Sequence, residues 1–220
     1  MNFIQLLRKE QKLLLNKKVL YLFFLIFPLL ISCGGKNTNN KETPQKTDYE
    51  NPQFIMQEAK KALGDNVKFA YKGRYNNDSL IGIAAGTEVQ NSKEWGIKFL
   101  LLKLDGNNLT TIYQTPLLNG SFNKCLVQKI KFPMFDYELI YYNSQAYFLG
   151  SGGGEVYSYL INFNEGKTYY AHLVDEPGKP TSLFLSENID INEVRSFFIS
   201  NFKRDYPAVK VVPKDIVLKY

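Results

Sequence analysis

Residues 95–115 read WGIKFLLLKLDGNNLTTIYQT, two apolar-rich runs, Trp95–Leu104 and Leu109–Thr115, joined by Asp105-Gly106-Asn107-Asn108. Asp-Gly and Asn-Asn are turn formers, and the β-branched and aromatic residues on either side suit paired strands. Phe99–Leu102 contains no polar residue. A run of that kind implies a central strand covered on both faces. The short connection makes the two strands antiparallel neighbours.

The same pattern extends outward in both directions. Strands are expected at 67–75, 79–89, 124–132, 137–142, 146–149, 155–163, 167–174 and 182–185, with room for a last short one at 209–212. Their separators include Asn76-Asn77-Asp78, Asn119-Gly120, Asn143-Ser144 and Asn164-Glu165-Gly166. In 124–132, Leu126, Ile130 and Phe132 alternate against Lys129 and Lys131, which predicts one wet face. Asn51 as N-cap, Pro52 at the first helical position and Gly64 as stop bound a helix with Ile55, Ala59, Ala62 and Leu63 on one face. A second helix is expected to open on a capping box of Asp190 and Glu193. It carries the stripe Val194, Phe197, Phe198 and Phe202, ends before Pro207, and should cover part of the central strand. The fold class is therefore α+β: a mostly antiparallel meander of about nine to eleven strands flanked by an N-terminal and a C-terminal helix.

Composition supports this reading. The chain has 220 residues, 45% apolar and 22% charged, with 15 Tyr and 16 Phe. Collagen, coiled coil, wholly disordered and polytopic membrane classes do not have these proportions. The net charge of +6 is concentrated at the start. Arg8, Lys9, Lys12, Lys17 and Lys18 stand against Glu10 within residues 1–32, leaving 22 basic against 20 acidic residues elsewhere. The basic footprint of a nucleic-acid binder is missing, so no nucleic-acid partner is expected.

Val19–Ile31 (VLYLFFLIFPLLI) is apolar, follows Lys17-Lys18, and closes on Ser32-Cys33. A bilayer core needs ~20 helical residues, so this run is too short to span. It has the form of a secretory signal. Leu30-Ile31-Ser32-Cys33 resembles the lipobox of bacterial lipoproteins. The resemblance implies cleavage before Cys33, diacylglyceryl transfer to its thiol and usually acylation of its amine. Gly34 resembles the pattern of lipoproteins sent to the outer membrane. Lys36-Asn37-Thr38 lacks the acidic residues used in some groups for surface export, which favours the periplasmic face. Residues 1–14 read as an extension upstream of the true start, with Leu15 as the initiating codon. Residues 34–51 (GGKNTNNKETPQKTDYEN) cannot bury enough surface to offset their ordering entropy. The expected organisation is a signal at 1–32, a tether at 33–51 and one globular domain at 52–220.

Chemistry-bearing residues are sparse. His172 is the only histidine, alternating with Tyr170 and Val174. With Cys33 lipidated, Cys125 has no partner for a disulfide, and one His with one Cys does not make a zinc site. No metal, cofactor or catalytic residue is assigned. Asp105-Gly106-Asn107-Asn108-Leu109 starts like a calcium loop but has Leu109 at the third ligand position. Asp136 and Glu138, two apart on an expected strand, would suit an inverting glycosidase by spacing. Gly150-Ser151-Gly152-Gly153-Gly154 leads into a strand rather than a helix, so it is no phosphate cradle. It reads as a hairpin loop, or as a binding rim formed by Gly152, Gly153, Gly154 and Glu155. Tyr137, Tyr141, Tyr142, Tyr147, Tyr157, Tyr159, Tyr169 and Tyr170 are core packing, or a binding platform. The expected function is a lipid-anchored, non-catalytic binding or envelope-assembly module with an envelope protein or glycan as partner. The alternatives are an envelope-polymer hydrolase using the carboxylate pair, and a small-ligand sensor or carrier.

Overall fold

The computed structural model describes residues 49–212, except 79–80, 106–107, 145–146 and 150–151. The signal, Cys33, most of the tether, the middle of the 105–109 loop and Gly150-Ser151 lie outside the described residues. The elements are helix α1 (Pro52–Leu63), β1 (Val67–Gly73), β2 (Gly82–Gln90), β3 (Trp95–Asp105), β4 (Asn108–Gln114), β5 (Cys125–Ile130) and β6 (Leu139–Ser144). They continue with β7 (Tyr147–Leu149), β8 (Gly153–Asn162), β9 (Lys167–Asp175), β10 (Ser182–Leu185), helix α2 (Asn192–Asp205) and β11 (Lys210–Val211).

The α+β, mostly antiparallel class holds, but the strands form two sheets rather than one meander. One runs β1-β2-β3-β4; the other runs β11-β10-β9-β8-β6-β5, with β7 paired to β8. Among the described residues, only β10 and β11 pair in parallel, and α2 supplies the crossover such a pair needs. The chain completes the first sheet before starting the second.

Each helix lies on a different sheet. Ile55 and Ala59 of α1 pack on Val67, Ala70, Ile83, Ala85 and Leu102 of the first sheet. Val194, Phe198 and Phe202 of α2 pack on Leu139, Tyr141, Leu160, Ala171 and Leu173 of the second. Between the sheets lie Phe69, Ala84, Ile97, Phe99 and Leu101 from one side, and Ile140, Tyr142, Tyr159, Ile161 and Tyr170 from the other. The run Phe99–Leu102 is thus covered on both faces as expected, but by the second sheet and α1, not by the C-terminal helix.

Local chemistry explains most boundaries. Asn51 Oδ1 accepts the Gln53 N–H at 2.9 Å, a cap worth about 1 kcal/mol. Ala62 turns out exposed, and Met56 and Leu63 complete the packed face instead. Asp190 does not cap α2. The N-cap is Ile191 with no side-chain bond, and Asp190 pairs with Lys167 at 3.4 Å. A bulge between Val67 and Phe69 in β1 lets Val67 and Ala70 share the helix side while Phe69 enters the sandwich. In β5, Ile130 joins the α2-side core as the alternation implies, but Leu126 is exposed, and Cys125 and Val127 are the residues facing the sandwich.

The 115–124 connection is tied down at several points. Tyr142 Oη donates to the Ser121 carbonyl at 2.8 Å and accepts the Ser121 N–H at 3.1 Å. Glu88 accepts from Ser121 Oγ at 2.6 Å and from the Phe122 N–H at 2.8 Å. At the adjacent sheet edges, Tyr71 Oη donates to the Val127 carbonyl and Lys129 Nζ to the Lys72 carbonyl.

Candidate functional site

Cross-strand register sets the site. On the sandwich-facing side of the larger sheet, β8 and β9 align Tyr157 with His172 and Glu155 with Val174. β9 and β10 align His172 with Phe184 and Val174 with Ser182. Two rows therefore cross three strands, Tyr157–His172–Phe184 and Glu155–Val174–Ser182. The next row inward, Tyr159–Tyr170, is buried between the sheets, whereas these two are only half-buried.

Tyr157 and His172 have centroids 4.7 Å apart at 7°, and His172 and Phe184 are 6.3 Å apart at 39°. At that spacing parallel rings are offset-stacked, so each covers part of its neighbour's face. Glu155 accepts from Tyr157 Oη, and its Oε2 stands 3.3 Å from His172 Nε2 without an aligned hydrogen bond. Beyond Phe184 a groove of about 290 Å³ is lined by Val174, Glu176, Lys179, Pro180 and Ser182. The arrangement combines an apolar strip, a carboxylate already holding a phenol, and a shallow concavity with charged rims. It is equipped to hold and orient a ligand by contact area and a few polar groups.

Burial holds the His172 pKa below its ordinary value, with Glu155 pulling it back only in part. The ring is therefore neutral at neutral pH. The unfolded chain takes up this proton first, at about pH 6.5, so stability is lost as pH falls below that value. Glu88 behaves differently. Although burial opposes it, hydrogen bonds from Ser121, Phe122 and Lys68 keep its pKa low. Its contribution is lost only further into acid, as pH falls through that lowered pKa. His172→Phe keeps the ring row and should remove the upper part of the acid loss, leaving the lower part. Stability from urea unfolding at pH 7.5, 6.0, 4.5 and 3.0 checks this; an equal fall in stability between pH 7.5 and 4.5 in both proteins would contradict it.

Of the residues marked in the sequence, the fold brings Glu155, Tyr157 and His172 together. Gly152 is an exposed turn residue at φ +93°. Gly153 and Gly154 open β8, and a Cβ on Gly153 would lie 2.7 Å from the Asp175 carbonyl oxygen, so close strand approach accounts for that glycine. Of the two readings of the tyrosine cluster, core packing holds for most of its described members. Tyr137, Tyr141, Tyr142, Tyr159, Tyr169 and Tyr170 are buried, leaving Tyr157 as the described member that borders solvent. Asp136 and Glu138 do not share a strand. Both precede β6; Asp136 is exposed, and Glu138 pairs with Lys129 at 3.1 Å. The glycosidase spacing therefore has no basis in this pair. Cys125 is half-buried against the sandwich, and burial raises its thiol pKa. Phe184 and the 174–182 groove went unmarked, although alternation in Ser182–Leu185 puts Phe184 on one face with Ser182. Among the described residues, no group of three His, Cys, Asp or Glu is placed to hold a metal, and no helix is long and apolar enough to cross a membrane.

These features define a two-sheet α+β domain with a half-buried ring row beside its inter-sheet core and a groove beyond Phe184. No family model, curated protein or solved structure matches the chain.

Proposed function

We propose that the chain is a lipid-anchored protein of a bacterial cell envelope, held at the periplasmic face of the outer membrane through acyl chains on Cys33. Its folded part, two mostly antiparallel sheets with one helix packed on each, is a non-catalytic binding or assembly module. It presents the Tyr157–His172–Phe184 row and Glu155 to an envelope protein or glycan. The anchor rests on Leu30-Ile31-Ser32-Cys33. One lipid chain binds reversibly, and two or three hold firmly, at ~0.8 kcal/mol per buried CH₂.

The observation that carries the binding reading is the row of half-buried rings continuing past the inter-sheet core into a groove. Aromatic rings at the border of solvent lose little conformational entropy on binding and bury large areas, which makes them common anchors of interfaces.

Two variants test the two halves of the proposal. Cys33→Ala should move the protein from the membrane fraction to the soluble fraction; unchanged membrane association would contradict lipidation. The double variant Tyr157→Ala/Phe184→Ala should lose capture of its partner from detergent-solubilised envelope while still unfolding cooperatively. Undiminished capture would place binding elsewhere.

A further inference from the structure

Trp95 is the chain's single tryptophan, and it is 52% exposed at the first position of β3. It is held on an ordered turn. Asn91 Oδ1 accepts the N–H groups of Lys93 and Glu94, both at 2.8 Å, and the Asn91 N–H donates to the Glu94 carbonyl. At the other end of the same strand a pocket of about 140 Å³ opens between Ile81 and Ile112. Gly82 and Leu101 line it, and Asp78 and Lys103 stand beside them. Ile81 is 56% and Ile112 51% exposed. The three most exposed large apolar side chains among the described residues are therefore this projecting indole and the two walls of this pocket.

The sizes and the polar groups match. A space of ~150 Å³ holds one benzene ring, so this open pocket has room for the six-membered ring of an indole. The pyrrole edge would remain at the mouth, where the Asp78 carboxylate is an acceptor for Nε1–H. Lys93 and Glu94 precede the indole, while Asp78 and Lys103 line the pocket; each charge has an opposite to meet. The two features lie at opposite ends of an 11-residue strand. From Trp95 to the pocket-lining Leu101–Lys103 is about 20–26 Å at ~3.3 Å per residue, so they cannot meet within one chain.

We propose that the occupant is a second copy of this chain: Trp95 of one copy enters the Ile81–Ile112 pocket of the next. Two different surfaces meet, so the contact either repeats head-to-tail into rows or closed rings or is made twice, reciprocally, about a two-fold axis. The contact is separate from the Tyr157–His172–Phe184 row and the groove beside it and does not depend on their ligand.

The test uses the full chain in cells that make two distinguishably tagged copies. Lys93→Cys in one and Asp78→Cys in the other should give a cross-link between unlike tags with a short bismaleimide. Pairs carrying Lys93→Cys twice or Asp78→Cys twice should give none above the background of unsubstituted copies. Adding Trp95→Ala, or Ile112→Asp on the pocket side, should lower the yield about tenfold or more, as truncating a buried aromatic anchor does. In the extracted protein, emission from the single tryptophan should shift to the blue with concentration, and Ile112→Asp should abolish that shift. Both replaced side chains are exposed, and unchanged thermal unfolding verifies the fold of each variant. No mixed cross-link, an equal yield with Trp95→Ala, or linkage mainly between like positions would overturn the proposal.

Discussion

Phe99→Ala is expected to cost about 3–5 kcal/mol, the usual range for removing a large ring from a closed core. Phe99 has no solvent exposure and sits in β3 between the two sheets. Its ring meets Phe69 of β1 at 5.9 Å, Phe122 of the 115–124 connection at 5.7 Å, and Tyr142 of β6 at 5.8 Å. One truncation therefore removes contacts to both sheets and to the segment joining them. The backbone offers little room to collapse, because the Phe99 N–H donates to Thr115 Oγ1 at 3.0 Å and its carbonyl accepts the Thr115 N–H at 2.9 Å. Domains of this size are stable by only about 5–15 kcal/mol, so the loss would be a large fraction of the whole. Urea unfolding should show a much lower midpoint with an unchanged slope. Phe99→Leu keeps most of the volume and should cost far less. A loss under about 1 kcal/mol for Phe99→Ala would mean that the inter-sheet layer is not the main core.

The second large effect comes from adding atoms. Gly86 lies opposite Phe69 on β1 and Phe99 on β3. A Cβ there would overlap the Phe69 ring and come within 2.6 Å of Phe122 Cζ. Gly86→Val should cost about 3 kcal/mol or more, at or beyond the upper end for overpacking, since rings locked among other rings cannot swing aside. The diagnostic experiment is a double-mutant cycle. Phe69→Leu is destabilising alone but should recover part of the Gly86→Val loss by making room. Additive losses would show that the valine is accommodated some other way.

Local chemistry marked most of the strands because their turns are written in Asn, Asp and Gly, and Phe99–Leu102 correctly implied cover on both faces. What provided the cover was not legible. A continuous apolar run states that two layers exist, but not whether a helix or another sheet supplies each. The bulges near Lys68 in β1 and between Leu101 and Leu102 in the β3–β4 pairing shift side-chain parity in ways that alternation cannot register. Asp190 matched a cap by spacing and lost the role to an ion pair with Lys167. The candidate site shows the same divide. Glu155 and Tyr157 share a strand face by alternation, yet only the β8–β9 register brings His172 beside them. Phe184 entered through the β9–β10 register, and register depends on hairpin geometry and packing rather than on local composition.

The uninterrupted order of the sheets along the chain, one within residues 67–114 and the other within 125–211, has a kinetic consequence. Each can zip from its own short turns, so little loop-closure entropy opposes either one. The ring layer between them is the step that requires both, and the Ser121 and Phe122 bonds to Tyr142 and Glu88 close over it. Amide exchange should then divide by sheet rather than by distance from the surface, with each sheet opening as a unit. A single ring truncation leaves the sheets coupled in one transition; only loss of the whole ring layer would separate them into two.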